Sequence, residues 1–457
     1  MTSSAHLNPS LQSFGSGLSG TVIRRGDAGY DQARRVWNGM IDRSPAAIFR
    51  CSSTADVVAA VNFAREEGLA LAVRGGGHNA AGLALVDDGL VIDLSGMRGI
   101  RVDAGKRVAY VQGGALWRDL DAATHAHGLA TTGGVISSTG VGGLTLGGGL
   151  GWLMRQHGLA CDNVLAVEIV TADGQVQRAS ATENPDLFWA VRGGGGNFGV
   201  VTSFEFRLHP MRTLYAGMLV FPGPQAPQVL RRYREVAESA PDELTVFAAL
   251  MTSPDGQPIT AIFPAYNGPT PKAEAAVKPF RDLGPVADQV QEMPYPALQS
   301  MLDDGFPSGL HVYWRSDFLK GLPDEALDAL VDRFQAITSP LSALLIEQFG
   351  GAVARVPADE TAFAQRDALF NLAIISRWAD ASTANTHIEW ARKTSEAARP
   401  FASGGVYVNY LGTEGADRVK AAYGAKYDKL VAAKQKYDPT NLFSVNQNIQ
   451  PAAAGSR

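Results

Sequence analysis

Apolar positions in the first two hundred residues alternate between a period of two and a helical period. Ala47-Ile48-Phe49 reads as a short strand. Ser53 or Thr54 then caps a helix through Glu67, with Val57, Val61 and Ala64 on one face and Gly68 as its stop. Residues 69–73 form a second strand, so 46–73 reads as a β-α-β unit. Further strands are expected over 90–94, 107–111, 164–171 and 200–208, and a helix over 115–127. The character changes near Pro210. Proline is frequent from 222 to 307, and strands (244–251, 259–266) alternate with helices (225–239, 271–280). That pattern predicts a second domain of α+β type. A last helix is expected over 417–437, with Tyr423, Tyr427, Leu430, Val431 and Tyr437 near helical spacing and Asp438-Pro439 as its stop.

Composition narrows the function. The chain has 457 residues, enough for two or three domains at about 150 residues each. Lys+Arg 40 against Asp+Glu 45 leaves no basic excess to neutralise phosphates, so nucleic acid is not expected as a partner. Two cysteines, Cys51 and Cys161, imply no disulfide framework. Residues 1–20 lack the charged and apolar regions of a secretion signal, and no apolar run reaches the length of a membrane span. The expectation is a soluble, cytoplasmic protein with no membrane partner. No metal motif, nucleophile elbow or P-loop is present, and His125 and His127 face different sides of a helix.

Glycine changes the picture most. Fifty residues are glycine, where an average share of about 7% would give about thirty. They cluster at 75–77, at 193–199 and at 133–151, where nine of nineteen residues are glycine. Gly75-Gly76-Gly77-His78-Asn79-Ala80 fits G-x-G-x-x-A, and Asp93 ends a strand about twenty residues on, as a ribose-binding acid would. A nicotinamide-dependent dehydrogenase is therefore one reading. A Rossmann crossover needs a helix directly after the glycines, and residues 79–89 show no helical period. The other reading is a nest, in which successive backbone N–H groups face one diphosphate.

Three stretches resemble FAD-linked oxidases of the vanillyl-alcohol oxidase / p-cresol methylhydroxylase superfamily. They are Arg74-Gly-Gly-Gly-His78-Asn79, Thr139-Gly140-Val-Gly142-Gly143 running on to Gly149-Leu-Gly151, and Arg155-Gln-His157 running on to Asn163-Val164. Tyr407-Val-Asn409-Tyr410, Ala422-Tyr423-Gly424, residues 436–443 and Asn446-Gln-Asn448-Ile449 resemble its berberine bridge enzyme-like branch, in the bacterial type that includes nicotine oxidases. The resemblance implies a two-domain PCMH-type α+β fold. Residues 1–215 would bind FAD, and 216–405 would form a substrate domain of antiparallel sheet backed by helices. Residues 406–457 would return to the FAD domain.

It also implies the site. His78 would carry an 8α-histidyl bond to the flavin. In relatives with a second, cysteinyl bond the Cys occupies the slot that here holds Ile136, so Cys161 is not expected to be a link. Arg74 through Asn79, Thr139, Gly140, Gly142 and Gly143 would hold the pyrophosphate. Gly149, Gly151, Asn163, Val164, Gly199 and Val200 would line the adenosine and ring approaches. Tyr407, Asn409 and Asn448 would meet the isoalloxazine. Hydride transfer to flavin N5 needs a base for the adjacent O–H or N–H, typically worth about 10²–10⁴-fold. Tyr313 (on one strand face with His311), Glu347 and Tyr407 are the candidates, and all three stay open. The nicotine-oxidising members carry a lysine two residues before the acid matching Glu347; here it is Leu345, so their substrate does not carry over. The expected activity is oxidation of an alcohol or amine carbon of a small molecule, with O₂ as acceptor giving H₂O₂. Thr139 bears on oxygen access, and a dehydrogenase with another acceptor remains open.

Overall fold

A computed structural model describes residues 9–211 and 213–452. Residues 1–8, part of the 1–20 stretch read for a signal, and residues 453–457, the end of the expected 406–457 segment, lie outside the described residues.

Strands Ala47–Arg50 and Leu71–Arg74 flank a helix, Thr54–Glu66, with Ser53 as its cap: the Ser53 side chain accepts a hydrogen bond from the Asp56 N–H. The two strands are parallel but not adjacent. Leu90–Asp93 lies between them and pairs with both. Its four residues are all buried, which suits a central strand covered on both faces. Thr21–Arg24 closes this sheet antiparallel to Ala47–Arg50. A second, antiparallel sheet runs Ile100–Asp103, Val108–Gln112, Val200–Arg207, Val164–Val170, Val176–Ser180. No helix follows the 75–77 glycines before residue 90. Asp93 is fully buried under Arg74 and Arg50, 2.6 and 3.2 Å away. It serves an ion pair and not a ribose, which removes the Rossmann reading.

Residues 213–378 supply a nine-stranded antiparallel sheet. Leu244–Thr252, Ala343–Gln348, Phe370–Trp378 and His311–Leu319 lie side by side, with His311–Leu319 at the sheet edge. Helices Ala226–Ser239, Asp324–Gln335 and Ala384–Ala398 cover one face through Leu230, Tyr233, Leu330 and Trp390. The other face packs Phe247, Phe318 and Phe349 against Leu150, Trp152, Met154 and Tyr407.

The C-terminal helix differs from the periodic expectation. It is two α-helices, Ala416–Tyr423 and Tyr427–Tyr437, joined by a 3₁₀ turn at Gly424. Gly424 has φ 51°, a conformation that favours glycine and cannot continue a helix. Beyond it Lys434 and Asp438 form an ion pair of 2.6 Å with neither side chain exposed. The Lys434 ammonium also donates to the carbonyls of Asn197 and Phe443. The last segment is thereby clamped to the third glycine cluster. Lys434→Met, which strands a buried carboxylate, is expected to lower unfolding free energy by about 3–5 kcal/mol; an unshifted urea midpoint would show that the clamp holds nothing.

Candidate functional site

One cleft runs between the glycine loops, the nine-stranded sheet and the returning C-terminal segment. Its floor is a backbone-on-backbone contact. A Cβ on Gly76 would lie 2.3 Å from the Gly140 nitrogen, and the reverse holds for Gly140. Only glycine lets these two loops meet. Gly143 and Gly196 do something else: a Cβ there would meet nothing within 4 Å and would project into open space. Glycine at those positions keeps room for a ligand along the loop backbone. Among the described residues, the cleft is lined by no Asp, Glu, Lys or Arg. An anionic cofactor would be held by backbone N–H groups, as a nest holds phosphate. The uncharged lining and glycine cradle fit FAD. Asn448 Oδ1, buried with no partner, adds an unused acceptor beside the cleft-lining Asn446 and Gln447.

Gly75, Gly76, Gly77, His78 and Asn79 line the cleft, as do Thr139, Gly140, Gly142, Gly143, Gly199, Val200, Tyr407 and Asn409. His78 is stacked on Trp37 with ring centroids 5.4 Å apart. Its Nε2 lies 3.1 Å from the Ser138 hydroxyl. Burial lowers its pKa to about 4, so the imidazole is neutral at pH 7.

Other expected contacts fall elsewhere. Arg74 turns away from the cleft and pairs with Asp93. Gly149 acts one layer back, where its N–H donates to the Tyr407 hydroxyl. Gly151 packs on the Gly133 carbonyl, which a Cβ would approach to 1.7 Å. Asn163 closes its own loop by donating to the His157 and Leu159 carbonyls, and Val164 is a buried core residue starting a strand. Asn448 does not line the cleft. Cys161 is fully buried in an apolar cluster, and burial raises its thiol pKa.

The acid–base candidates separate by strand parity. Tyr313 lies on the helix-covered face, half-buried against that core and accepting a hydrogen bond from Arg315. Trp314, the next residue, lines the cleft instead. A strand alternates faces, so placing the Tyr313 hydroxyl in the site would require a one-residue slip. Tyr313 is thus withdrawn as a base, and His311, of the same parity, stacks on Trp378.

Glu347 lies on the cleft side of the sheet but one layer deep. Its carboxylate accepts from Asn371 Nδ2 at 2.6 Å and from the Tyr410 hydroxyl at 2.9 Å. It is fully buried, and burial raises its pKa to about 7 against the opposing pull of those two hydrogen bonds. Tyr410 lines the cleft in front of it, and burial beside the Glu347 charge holds its phenol well above the ordinary value. The Tyr407 hydroxyl accepts from the Gly149 and Leu150 N–H groups at 3.0 and 3.3 Å and from Asn409 Nδ2 at 2.8 Å. Burial raises its pKa despite these donors.

Tyr410, Trp314, Trp37 and Asn371 are the residues that sequence reasoning passed over. Tyr410 was inside the Tyr407-Val-Asn409-Tyr410 motif, where its spacing to Tyr407 was the available signal. Trp37 and Asn371 carried none.

The FAD binding domain family model matches residues 45–180, and the berberine and berberine-like model matches residues 406–450. An FAD-linked oxidoreductase of Dictyostelium discoideum is 33% identical, with 96% of this chain and 97% of that protein covered. (R)-6-hydroxynicotine oxidase of Paenarthrobacter nicotinovorans is 32% identical, with 95% and 97% covered. The crystal structure of 6-hydroxy-D-nicotine oxidase from Arthrobacter nicotinovorans superposes with a TM-score of 0.87 at 30% identity, covering 95% of this chain and 98% of that one. No helix among the described residues is long and apolar enough to cross a membrane.

The two glycine roles predict different failures. Gly143→Leu should fold normally, by circular dichroism, and lose its bound flavin. Gly76→Ala should lose both, because the neighbour it meets is backbone. A Gly143→Leu protein that retains full flavin absorbance would refute the cradle.

Proposed function

The chain belongs to the berberine bridge enzyme-like FAD-linked oxidoreductases, and from that premise we propose that it is an oxidase acting on an alcohol or amine carbon of a small molecule. In this reading residues 1–215 and 406–457 hold the cofactor, and 216–405 form the substrate side. Bound FAD would supply the hydride acceptor, and the two electrons it takes up would, with two protons, reduce O₂ to H₂O₂. The chain's own residues provide the rest.

The observation that carries the reading is the Glu347–Tyr410 couple, a buried carboxylate hydrogen-bonded at 2.9 Å to a hydroxyl on the cleft wall. Tyr410 takes the proton from the substrate O–H or N–H and passes its own to Glu347. The substrate carbon loses its hydride, and its bond to oxygen or nitrogen becomes double. A carboxyl group titrating near 7 is suited to accept a proton at neutral pH and release it again. Asn371 holds the second carboxylate oxygen and fixes its direction. Tyr407 is a positioning residue: its hydroxyl oxygen is occupied by three N–H donors, and its ring meets Tyr410 edge-on at 4.8 Å.

His78 is the proposed attachment point. The Nε2 atom lies 3.1 Å from the Ser138 hydroxyl, and burial keeps the imidazole neutral at pH 7, the form that can act as a nucleophile. Trp37 sets the ring plane. A covalent bond here keeps the cofactor in place through the catalytic cycle.

Glu347 is protonated below about pH 7 and a carboxylate above it. The anaerobic flavin reduction rate is therefore expected to rise with pH through an apparent pKa near 7 and level off above it. Glu347→Gln should abolish that step, and Tyr410→Phe should lower the plateau by about 10²–10⁴-fold. A wild-type step surviving intact in Glu347→Gln would sink the assignment. Acid precipitation of the wild type should give a yellow pellet, and His78→Ala a colourless pellet under a yellow supernatant. A yellow His78→Ala pellet would point to another link.

A further inference from the structure

We infer that the substrate is a planar, uncharged ring compound whose oxidisable carbon bears an O–H or N–H, and that Trp314 and Leu345 select it. The inference rests on the oxidase reading above and names the substrate class of the same site.

Trp314 stands directly opposite Ile375 in the register of the nine-stranded sheet, and Leu345 lies two residues along the neighbouring strand, all on the cleft side. The Trp314 ring meets Tyr410 edge-on at 4.8 Å and Trp37 at 5.7 Å. These rings give that end of the cleft steeply inclined aromatic walls, Tyr410 at 84° and Trp37 at 64° to Trp314, beside the proposed proton acceptor. A flat ring fills such a box by stacking on one wall and presenting its edge to another.

The same walls reject other classes. Among the described residues no Asp, Glu, Lys or Arg lines the cleft, and the Glu347 carboxylate lies behind the Tyr410 hydroxyl. A carboxylate or phosphate entering there loses its water, gains no partner and faces a like charge. A polyol needs a partner for each hydroxyl, and the sheet side offers few polar atoms, such as the Tyr410 hydroxyl and the buried, unpartnered Trp314 Nε1. The cations lie elsewhere. Arg35 and Arg118 line a second cavity of about 840 Å³ on the far side of the 75–77 loop, separated from the cleft by Trp37, His78 and Phe306.

The test is calorimetric titration of the holoenzyme with three probes: 4-hydroxybenzyl alcohol, 4-(hydroxymethyl)benzoate and cellobiose. The neutral ring is expected to bind at least about tenfold more tightly than either of the others, a difference of about 1.4 kcal/mol. Trp314→Ala should remove most of that preference, and Trp314→Phe should keep it. Leu345→Lys, which puts a cation on the cleft wall, should improve benzoate binding. Equal affinities, or no measurable affinity for the neutral ring, overturn the inference. So does tighter binding of the benzoate that is lost in Arg118→Gln, since that outcome routes an anionic substrate through the arginine cavity. Anaerobic flavin bleaching separates the two readings. Selective ring binding with no ring alcohol reducing the flavin leaves the ligand class standing and removes the oxidase. Bleaching by cellobiose does the opposite.

Discussion

The hydroxyl of Tyr407 is the point on which the site's geometry depends. It receives the N–H groups of Gly149 and Leu150 from the second glycine cluster, together with the side-chain amide of Asn409. The Tyr407 N–H in turn donates to the Ser316 hydroxyl on the nine-stranded sheet. A single residue thus ties the returning segment to both walls of the cleft. The 3₁₀ turn Val408–Tyr410 then carries Tyr410 to within 2.9 Å of Glu347. Buried hydrogen bonds of this kind are costly to leave unmade, so the turn has little freedom to drift. The proposed Glu347–Tyr410 couple inherits its geometry from this contact between the returning segment and the second glycine cluster.

Charge is distributed so that the cleft has none. Arginines around the first glycine loop are matched to Asp93 or face the neighbouring cavity. Asp162 is matched by Arg366 and Asp438 by Lys434, all buried away from the cleft. Glu347 sits behind Tyr410, which lines the cleft. Because that carboxylate is buried and neutralised by no cation, its proton affinity rises into the neutral range. The raised pKa and the uncharged cleft are two results of the same exclusion of charge.

Much of the molecule was legible in the chain. The glycine clusters, the first helix with its serine cap, and the change of character near Pro210 all follow from local rules of backbone freedom and periodicity. Parity was harder. Alternation puts His311 and Tyr313 on one face but is silent about which face looks at the cleft, and the structure gives the cleft to Trp314. The strand order of the first sheet was likewise hidden, because Leu90–Asp93 comes last in sequence yet inserts between the other two. The apolar period over 417–437 continues through Gly424, yet the helix breaks there because that residue takes a positive φ.

What the sequence by itself determined is where the backbone must come close or stay bare, since that requirement is written residue by residue as glycine. It also carried the family's motifs, and with them FAD. Only the tertiary structure decided which glycines meet one another, as Gly76 and Gly140 do across 64 residues, and which leave space for a ligand. It alone paired Tyr410 with Glu347 and Trp37 with His78. The physical reason is that propensity and periodicity are properties of neighbours along the chain. A buried carboxylate–hydroxyl pair, a stacked ring or an uncharged cleft depends on segments up to 274 residues apart being held within hydrogen-bond distance.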